Sequence, residues 1–491
     1  TRTTATRNTP TPYGKVLARS LAYGAAVETG GRVPVGGSGP LTVAAGRLEG
    51  FARERRGVPG LAVGMVGPGG WRHEFAVGVA DVASGRPLAA DALMPVASIG
   101  KAMTAVALLR EHDAGRLDLA APVHDHLPWL PLATPFGPIS VRHLLAHTSG
   151  IIGGMEGSPS PTMEALALEH TPPGWPPGER ASYSNVGYAV LGLVLERVAG
   201  CSYAEAIQRH VLDPCAMTGS EAVTTAAAQA RATTGHLELD GGALVPAPWV
   251  PTTAGSGATL CTAADLGRLL RAVVAGDPPL LEPGTREAML TPAVPLPEGR
   301  RYGYGLGVEL DTEGGYRRAG HQGDCPGYHS YAYGCLETGV GVVALANGPW
   351  RPPSDPAGVW AVVDHGLALL RAAALGLDPP PDPPAAAPDP AGGSDPPAEA
   401  ASGQLPAELA ALVGTYAAFN PWIPLVRIRP AGGGLALVWP GDDQEPLTPL
   451  PGGGFRVGDD PASPDRVHFT AVVEGRPMRA VVSGWPYDRV D

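Results

Sequence analysis

Lysine is nearly absent from this chain: Lys15 and Lys101 are the two in 491 residues, so arginine supplies 33 of the 35 basic side chains. Asparagine is confined to positions 8, 185, 347 and 420. The five cysteines, Cys201, Cys215, Cys261, Cys325 and Cys335, are odd in number, widely spaced and free of C-x-x-C pairs. That pattern argues against a disulfide framework or a zinc ribbon and fits a reducing compartment. No apolar run approaches the roughly 20 residues that cross a bilayer, and the N-terminal stretch lacks a signal peptide's apolar segment. No membrane span is expected, and the expected location is cytoplasmic, or secreted where a targeting segment has been removed. The formal net charge is -12 with the basic residues scattered, so no basic face is offered to a nucleic acid backbone. The expected partner is a small molecule, and oligomeric state carries no signature here.

The shortage of lysine makes one position conspicuous. Arginine cannot lose its proton in a protein, whereas a buried lysine can. Lys101 sits in an apolar, helix-patterned stretch, while Lys15 lies in a segment without pattern.

With 44% apolar and 17% charged residues, the chain has ample material for a large core divided over two or three parts. Residues 1–40 lack periodicity and read as an N-terminal extension. Residues 41–378 read as an α/β (α+β) domain. A helix near 43–51, strands at 61–66 and 74–82, and further strands at 304–310, 316–319, 328–333 and 340–346 surround helical patterns at 98–113, 141–147 and 186–199, and a last helix follows at 359–374. The spacing predicts an antiparallel sheet assembled from both ends of the domain, flanked by helices, with an all-helical region between. Residues 379–404, rich in Pro and Ala, read as a linker. Five alternating segments at 426–429, 435–439, 455–457, 467–473 and 479–482 make 405–491 a small all-β barrel or sandwich.

Three elements carry chemistry. Met94-Pro-Val-Ala-Ser98-Ile-Gly-Lys101 puts a hydroxyl at a helix start and an amine one turn later on the same face. A serine hydroxyl becomes a nucleophile when an adjacent base takes its proton, and a desolvated lysine is such a base. Alone, this spacing is equally a helix cap followed by a surface lysine. Ala181-Ser-Tyr183-Ser-Asn185 lies between a Pro/Gly-rich loop and a helix, where Tyr183 can relay a proton or simply pack, and Ser184 or Asn185 can cap. Arg318-Ala-Gly-His321-Gln322-Gly323-Asp324 is polar and glycine-rich ahead of an apolar strand, as suits a substrate backbone lying along a sheet edge or an ordinary hairpin turn.

Taken in order, S-x-x-K, Y-x-N and H-x-G resemble the serine β-lactamase and penicillin-binding-protein superfamily, nearest its class C and esterase-like branch. Val141-Arg-His-Leu-Leu-Ala-His-Thr-Ser-Gly150 is similar to the family's H-L-L-x-H-T-S-G segment, and Gly255-Ser-Gly257 before Thr262-Ala-Ala-Asp-Leu to its G-G-L-x-S-T-x-x-D-L stretch. The resemblance covers about residues 42–376. It implies a β-lactamase/transpeptidase-like fold and an acyl-enzyme on Ser98. Lys101 and Tyr183 would share the proton, Asn185, Gln322 and Gly323 contact substrate, and the backbone N–H groups of Ser98 and Asp324 form the oxyanion hole. His321 would orient Tyr183 or the substrate. No cofactor is implied. The implied activity is that of a serine hydrolase on an ester or amide: esterase, D-amino-acid peptidase or amidase, or weak β-lactamase. Acyl transfer or peptide cyclisation on the same fold is the alternative.

Two features depart from β-lactamases. His321-Gln322-Gly323 stands where they carry K-T-G, so a titratable imidazole is expected in place of a permanent cation, and no E-x-x-L-N stretch is present. Two readings from other classes compete. His124, His126, His143 and His147 form a histidine cluster that suggests a metal-dependent hydrolase, although no H-E-x-x-H is present. An acylated but non-turnover sensor or binding module is the other.

Overall fold

In the computed structural model, residues 39–54, 57–151, 158, 160–170, 173–238, 243–294, 302–349, 358–383, 405–418, 425–439, 444–459, 465–483 and 485–491 are described. They fall into two compact units, one within residues 20–389 and one within 390–491. The expected extension, apart from residues 39 and 40, and the linker from 384 onward lie outside the described residues. Residues 379–383, expected to open the linker, are instead tied down: Asp382 accepts hydrogen bonds from Arg47 and His365, each at 3.0 Å.

The larger unit is built on one antiparallel sheet. Its strands are β1 (Gly60–Val66), β2 (Arg72–Asp81), β3 (Arg86–Pro87), β4 (Tyr302–Tyr304), β5 (Glu309–Asp311), β6 (Arg318–Cys325), β7 (Tyr328–Cys335) and β8 (Gly341–Ala346). Their order is β3-β2-β1-β8-β7-β6-β5-β4, so the two ends of the domain meet where β1 pairs with β8, from Leu61 against Ala346 to Val66 against Gly341. β1 and β8 are buried along their whole length, as central strands covered on both faces must be. One face carries α1 (Pro40–Glu54) and α5 (Val359–Leu375) over a core of Leu48, Phe51, Val63, Val342 and Leu367. The other carries α4 (Ala263–Ala275), and α2 (Gly100–Asp113) and α3 (Asn185–Ala199), which pack on each other, share with it a larger core that includes Met103, Leu108, Tyr188, Leu191 and Leu266. Ser184 caps α3 and Thr262 caps α4 through their hydroxyls, and Gly200 and Gly276 end them in the left-handed region. No described helix is long and apolar enough to cross a membrane.

The segment expected as one strand over 304–310 is two short strands, β4 and β5, joined by a turn in which Gly305 N–H donates to the Val308 carbonyl at 2.9 Å. Close approach to α2 requires this turn. A Cβ on Gly307 would lie 2.3 Å from that of Ala105, and Gly307 has φ +86°. The polar run 318–325, expected as a short strand and a turn, is continuous strand β6, and the reversal falls at Pro326-Gly327, with Gly327 at φ +80°.

The smaller unit is a closed eight-stranded antiparallel barrel. Its strands are β9 (Gly414–Ala417), β10 (Leu425–Ala431), β11 (Gly434–Val438), β12 (Gln444–Pro449), β13 (Phe455–Val457), β14 (Arg466–Val473), β15 (Arg476–Val482) and β16 (Trp485–Arg489), with β9 and β16 closing it through Tyr416 and Arg489. Of the two forms expected from the alternation, barrel or sandwich, the barrel is present. Three strands were not legible, and β12 is the instructive one, because its two prolines speak against a strand while each still leaves a carbonyl for pairing. Its interior is filled by Tyr416, Val426, Ile428, Leu437, Phe455, Val467 and Tyr487 among others, a packed core rather than a channel.

Candidate active site

Ser98 stands in a 3-10 turn, Ala97–Ile99, that runs into α2. Ala97, immediately before it, has φ +45°, a left-handed conformation that a residue with a Cβ rarely adopts and that the surroundings must impose. They do so from two sides. The Val96 N–H donates to the Thr259 carbonyl at 3.0 Å. Gly257 is so close that a Cβ there would lie 2.9 Å from the Ala97 carbonyl carbon, and on the other side a Cβ on Gly323 would lie 2.1 Å from the Val96 oxygen and 2.9 Å from the Ser98 nitrogen. The Gly255-Ser-Gly257 segment and β6 therefore clamp the serine turn between them.

Lys101 is fully buried, with its Nζ 2.9 Å from Ser98 Oγ, 2.6 Å from Asn185 Oδ1 and 2.8 Å from the Ser256 carbonyl oxygen. Three acceptors match the three N–H bonds of an ammonium. The same positions also fit the amine, which can donate to Asn185 and Ser256 while its lone pair faces the Ser98 hydroxyl. A proton can pass from Ser98 to Lys101 without rearrangement of the surroundings, the preorganisation that lowers a proton-transfer barrier.

Tyr183 is 37% exposed, and its ring centroid is 4.8 Å from Lys101 Nζ. The loop that carries it is held by His147, whose carbonyl accepts from Ser182 N–H at 2.7 Å and whose Nδ1 accepts from Ser184 N–H at 3.1 Å. The His147 ring packs on Tyr183, Tyr188 and Tyr304 at centroid distances of 4.3, 5.0 and 4.5 Å. Burial, and then the Lys101 cation, hold this imidazole well below its ordinary pKa. Since Nδ1 is the acceptor, the neutral ring carries its hydrogen on Nε2.

His321 was expected to titrate and to orient Tyr183 or substrate. It is 2% exposed, and burial together with the Lys101 cation lowers its pKa to about 3. It is neutral across the physiological range. Its Nε2 meets the hydroxyl of Tyr304 at 2.9 Å, and the His321 and Tyr183 rings stand 6.1 Å apart. Nδ1 faces the Gln322 carbonyl at 2.5 Å and Glu309 Oε1 at 3.5 Å, both acceptors. The hydrogen is therefore on Nδ1, and Tyr304 donates to Nε2.

Alternation along β6 places His321 and Gly323 on the face toward Ser98. Gln322 falls on the other face, opposite Tyr331, whose ring lies 5.5 Å from that of Trp360 on α5. The Gln322 side chain is thus not brought to Ser98. Asp324 pairs through its carboxylate with His329, its neighbour across the β6–β7 ladder. The Pro326-Gly327 turn makes Cys325 and Tyr328 a hydrogen-bonded pair. Two-residue alternation then turns the N–H of Asp324 away from β7, toward an edge that β5 has left at Gly320.

The histidines of the metal reading do not converge. His124 Nε2 lies 2.9 Å from the Leu130 carbonyl, His143 Nδ1 accepts from Ser140 N–H at 3.2 Å in a capping box, and the short helix carrying His143 ends at Leu145, which puts His147 at φ +56° beyond it. Among the described residues no group of three or more histidine, cysteine, aspartate or glutamate side chains could hold a metal ion.

Sequence reasoning missed His147, Tyr304 and Glu309 as members of the site. His147 lies inside a segment quoted for the family resemblance, which was the available signal. Tyr304 and Glu309 reach His321 only through sheet pairing, and no local spacing marks them.

A family model described as Beta-lactamase matches residues 46–367. Penicillin-binding protein 4 of Amycolatopsis lactamdurans is 29% identical over 60% of this chain and 82% of its own length. The esterase EstB of Burkholderia gladioli is 34% identical over 34% of this chain and 47% of its own, less than half the relative. Among solved structures, the octameric penicillin-binding protein homologue from Pyrococcus abyssi superposes with a TM-score of 0.59 over 89% of this chain and 98% of that one, at 24% identity, a likeness of fold.

Proposed function

The chain belongs to the β-lactamase family, and from that premise we propose that it is a serine hydrolase that cleaves an ester or amide through an acyl-enzyme on Ser98. The observation that carries the reading is the buried Lys101 amine 2.9 Å from Ser98 Oγ in a chain with one other lysine, Lys15.

In this mechanism Lys101 takes the Ser98 proton as Oγ attacks the carbonyl carbon. The developing oxyanion lies against the backbone N–H groups of Ser98 and Asp324, the latter on the open edge of β6. The proton reaches the leaving group from Lys101 or through the Tyr183 hydroxyl, and Asn185, which already accepts from Lys101, lines the same side. Water then attacks the acyl carbon, Lys101 or Tyr183 takes its proton, and that proton passes to Ser98 Oγ as the bond to the acyl carbon breaks and the acid is released. With His321 neutral and Lys101 committed to three acceptors, neither of these two described residues offers a free cation to a substrate carboxylate, which supports an ester or amide without one over a β-lactam.

The test is intact-mass analysis after incubation with a fluorophosphonate and, separately, a p-nitrophenyl ester, on the protein, Ser98→Ala and Lys101→Ala. The expected result is one adduct, lost in Ser98→Ala and slowed by about 10²- to 10⁴-fold in Lys101→Ala, the range general-base catalysis spans. An adduct that persists in Ser98→Ala sinks the assignment. Adding an amine acceptor to the ester reaction separates transfer from hydrolysis by its product.

A further inference from the structure

β5 pairs with β6 only from Arg318 to Gly320, with Glu309 opposite Gly320. Beyond that point the outward N–H groups of β6, those of Gln322 and Asp324, meet no strand among the described residues. The Glu309 carboxylate reaches into the gap. It is 8% exposed and accepts from the hydroxyls of Tyr333 and Tyr302. Its other oxygen lies 3.5 Å from His321 Nδ1, and the Gln322 N–H is within hydrogen-bonding reach.

We propose that Glu309 is a positioning residue for the Ser98 site: its carboxylate replaces a strand at the edge of β6, holding the Gln322 N–H so that the next outward N–H, that of Asp324, stays aligned beside Ser98. This rests on the reading of Ser98 as nucleophile. The group touches no substrate and acts through β6. The Gln322 carbonyl, 2.5 Å from His321 Nδ1, keeps the hydrogen there with the Glu309 carboxylate behind it at 3.5 Å, and leaves Nε2 to receive Tyr304, whose ring stands 6.2 Å from that of Tyr183.

The arrangement titrates. Burial raises Glu309 to about 7, against the hydrogen bonds from Tyr333 and Tyr302 that favour the charged form; the Asp324 carboxylate adds to the rise and the Gln322 N–H opposes it. The groups facing it are Tyr302 on β4, Tyr333 on β7, and His321 and Asp324 on β6. Arg318, also on β6, is committed to Asp311 and Asp364, and Lys101 on α2 acts from beyond His321. Above pH 7 the carboxylate accepts with full charge. Below it the carboxylic acid is a weaker acceptor, and the Gln322 N–H is held less firmly.

The experiment measures acylation of Ser98 by a p-nitrophenyl ester from pH 5.5 to 8.5 for the protein, Glu309→Gln and Tyr333→Phe, with adduct mass as a check. Taking the ratio of rate constants, Glu309→Gln over wild type, cancels the pH dependence that Lys101 gives to both. The ratio is expected near one-tenth at pH 8.5, about what exchanging a charge-assisted for a neutral hydrogen bond amounts to. It should rise toward one below pH 7, where the wild-type group is itself neutral. Tyr333→Phe removes a donor to the carboxylate, so in that variant the ionisation should move to higher pH. A ratio constant across the range, or a Tyr333→Phe ionisation that stays put or moves down, overturns the proposal. Absence of any Ser98 adduct in the wild type overturns the nucleophile assignment itself, a distinguishable failure.

Discussion

Asn185 offers a test of the Lys101 site in which the sign matters more than the size. Its Oδ1 lies 2.6 Å from Lys101 Nζ, and replacement by aspartate keeps the shape while placing a carboxylate at that distance. At an effective dielectric of about 20, unit charges that close attract by about 6 kcal/mol. Desolvating the new carboxylate offsets part of this, yet a residue of about 1.4 kcal/mol still shifts the balance between ammonium and amine tenfold. In Asn185→Asp the pH at which acylation switches on should therefore rise by one unit or more. Asn185→Ala acts oppositely. It takes an acceptor from the ammonium, a hydrogen bond to a charged group worth about 1.5–3 kcal/mol, and the switch should fall by about one to two units. Release of p-nitrophenol followed from pH 6 to 10 reads both midpoints. Midpoints that move in the same direction, or not at all, would refute the claim that the charge on Lys101 controls the nucleophile.

Gly323→Ala should reduce Ser98 labelling by a fluorophosphonate at least about 10²-fold, because its Cβ would lie 2.1 Å from the Val96 oxygen and force β6 away from the serine turn, while overpacking costs stability by about 1–3 kcal/mol. Arg318→Ala should lower stability to urea by about 3–5 kcal/mol, since it strands the Asp311 carboxylate, whose side chain is 1% exposed, without its partner at 2.6 Å. Stability should also fall with acid. Above pH 6.5 His321 is neutral folded or unfolded, and below it the unfolded chain binds a proton that the native ring refuses until about pH 3, at a cost of about 1.4 kcal/mol per pH unit. His147 adds to that loss, whereas Glu309, raised to about 7, binds its proton in the native state and gains stability as pH drops from there to its ordinary 4.5. In His321→Asn the decline of Tm between pH 6.5 and 5 should accordingly be shallower than in the wild type, and an equal slope refutes burial as the cause of the shift.

What could be read from the chain alone divides along the range of the interactions. Ser98 and Lys101 meet because three residues are one helical turn, so their contact at 2.9 Å was legible from spacing. Asn185 drew notice through scarcity, and its contact with Lys101 across 84 residues follows the motif order. The central strands β1 and β8 read as apolar runs because both faces are covered. The turn between β4 and β5 did not, because what breaks the strand is the Ala105 side chain on another element, against which only glycine fits at 307. β12 was hidden by its own prolines. The larger misreading concerned His321, whose type suggests a proton switch at neutral pH. Whether an imidazole switches depends on its surroundings, and here burial and a lysine 220 positions earlier in the chain remove the charge. The titration near neutrality falls instead to Glu309, a residue type that ordinarily ionises far lower. It is raised by burial, against the hydrogen bonds from Tyr302 on β4 and Tyr333 on β7, in surroundings that exist only once the sheet has formed. Motif spacing therefore locates the atoms proposed to react, whereas the protonation states that the proposal needs are properties of the packed sheet.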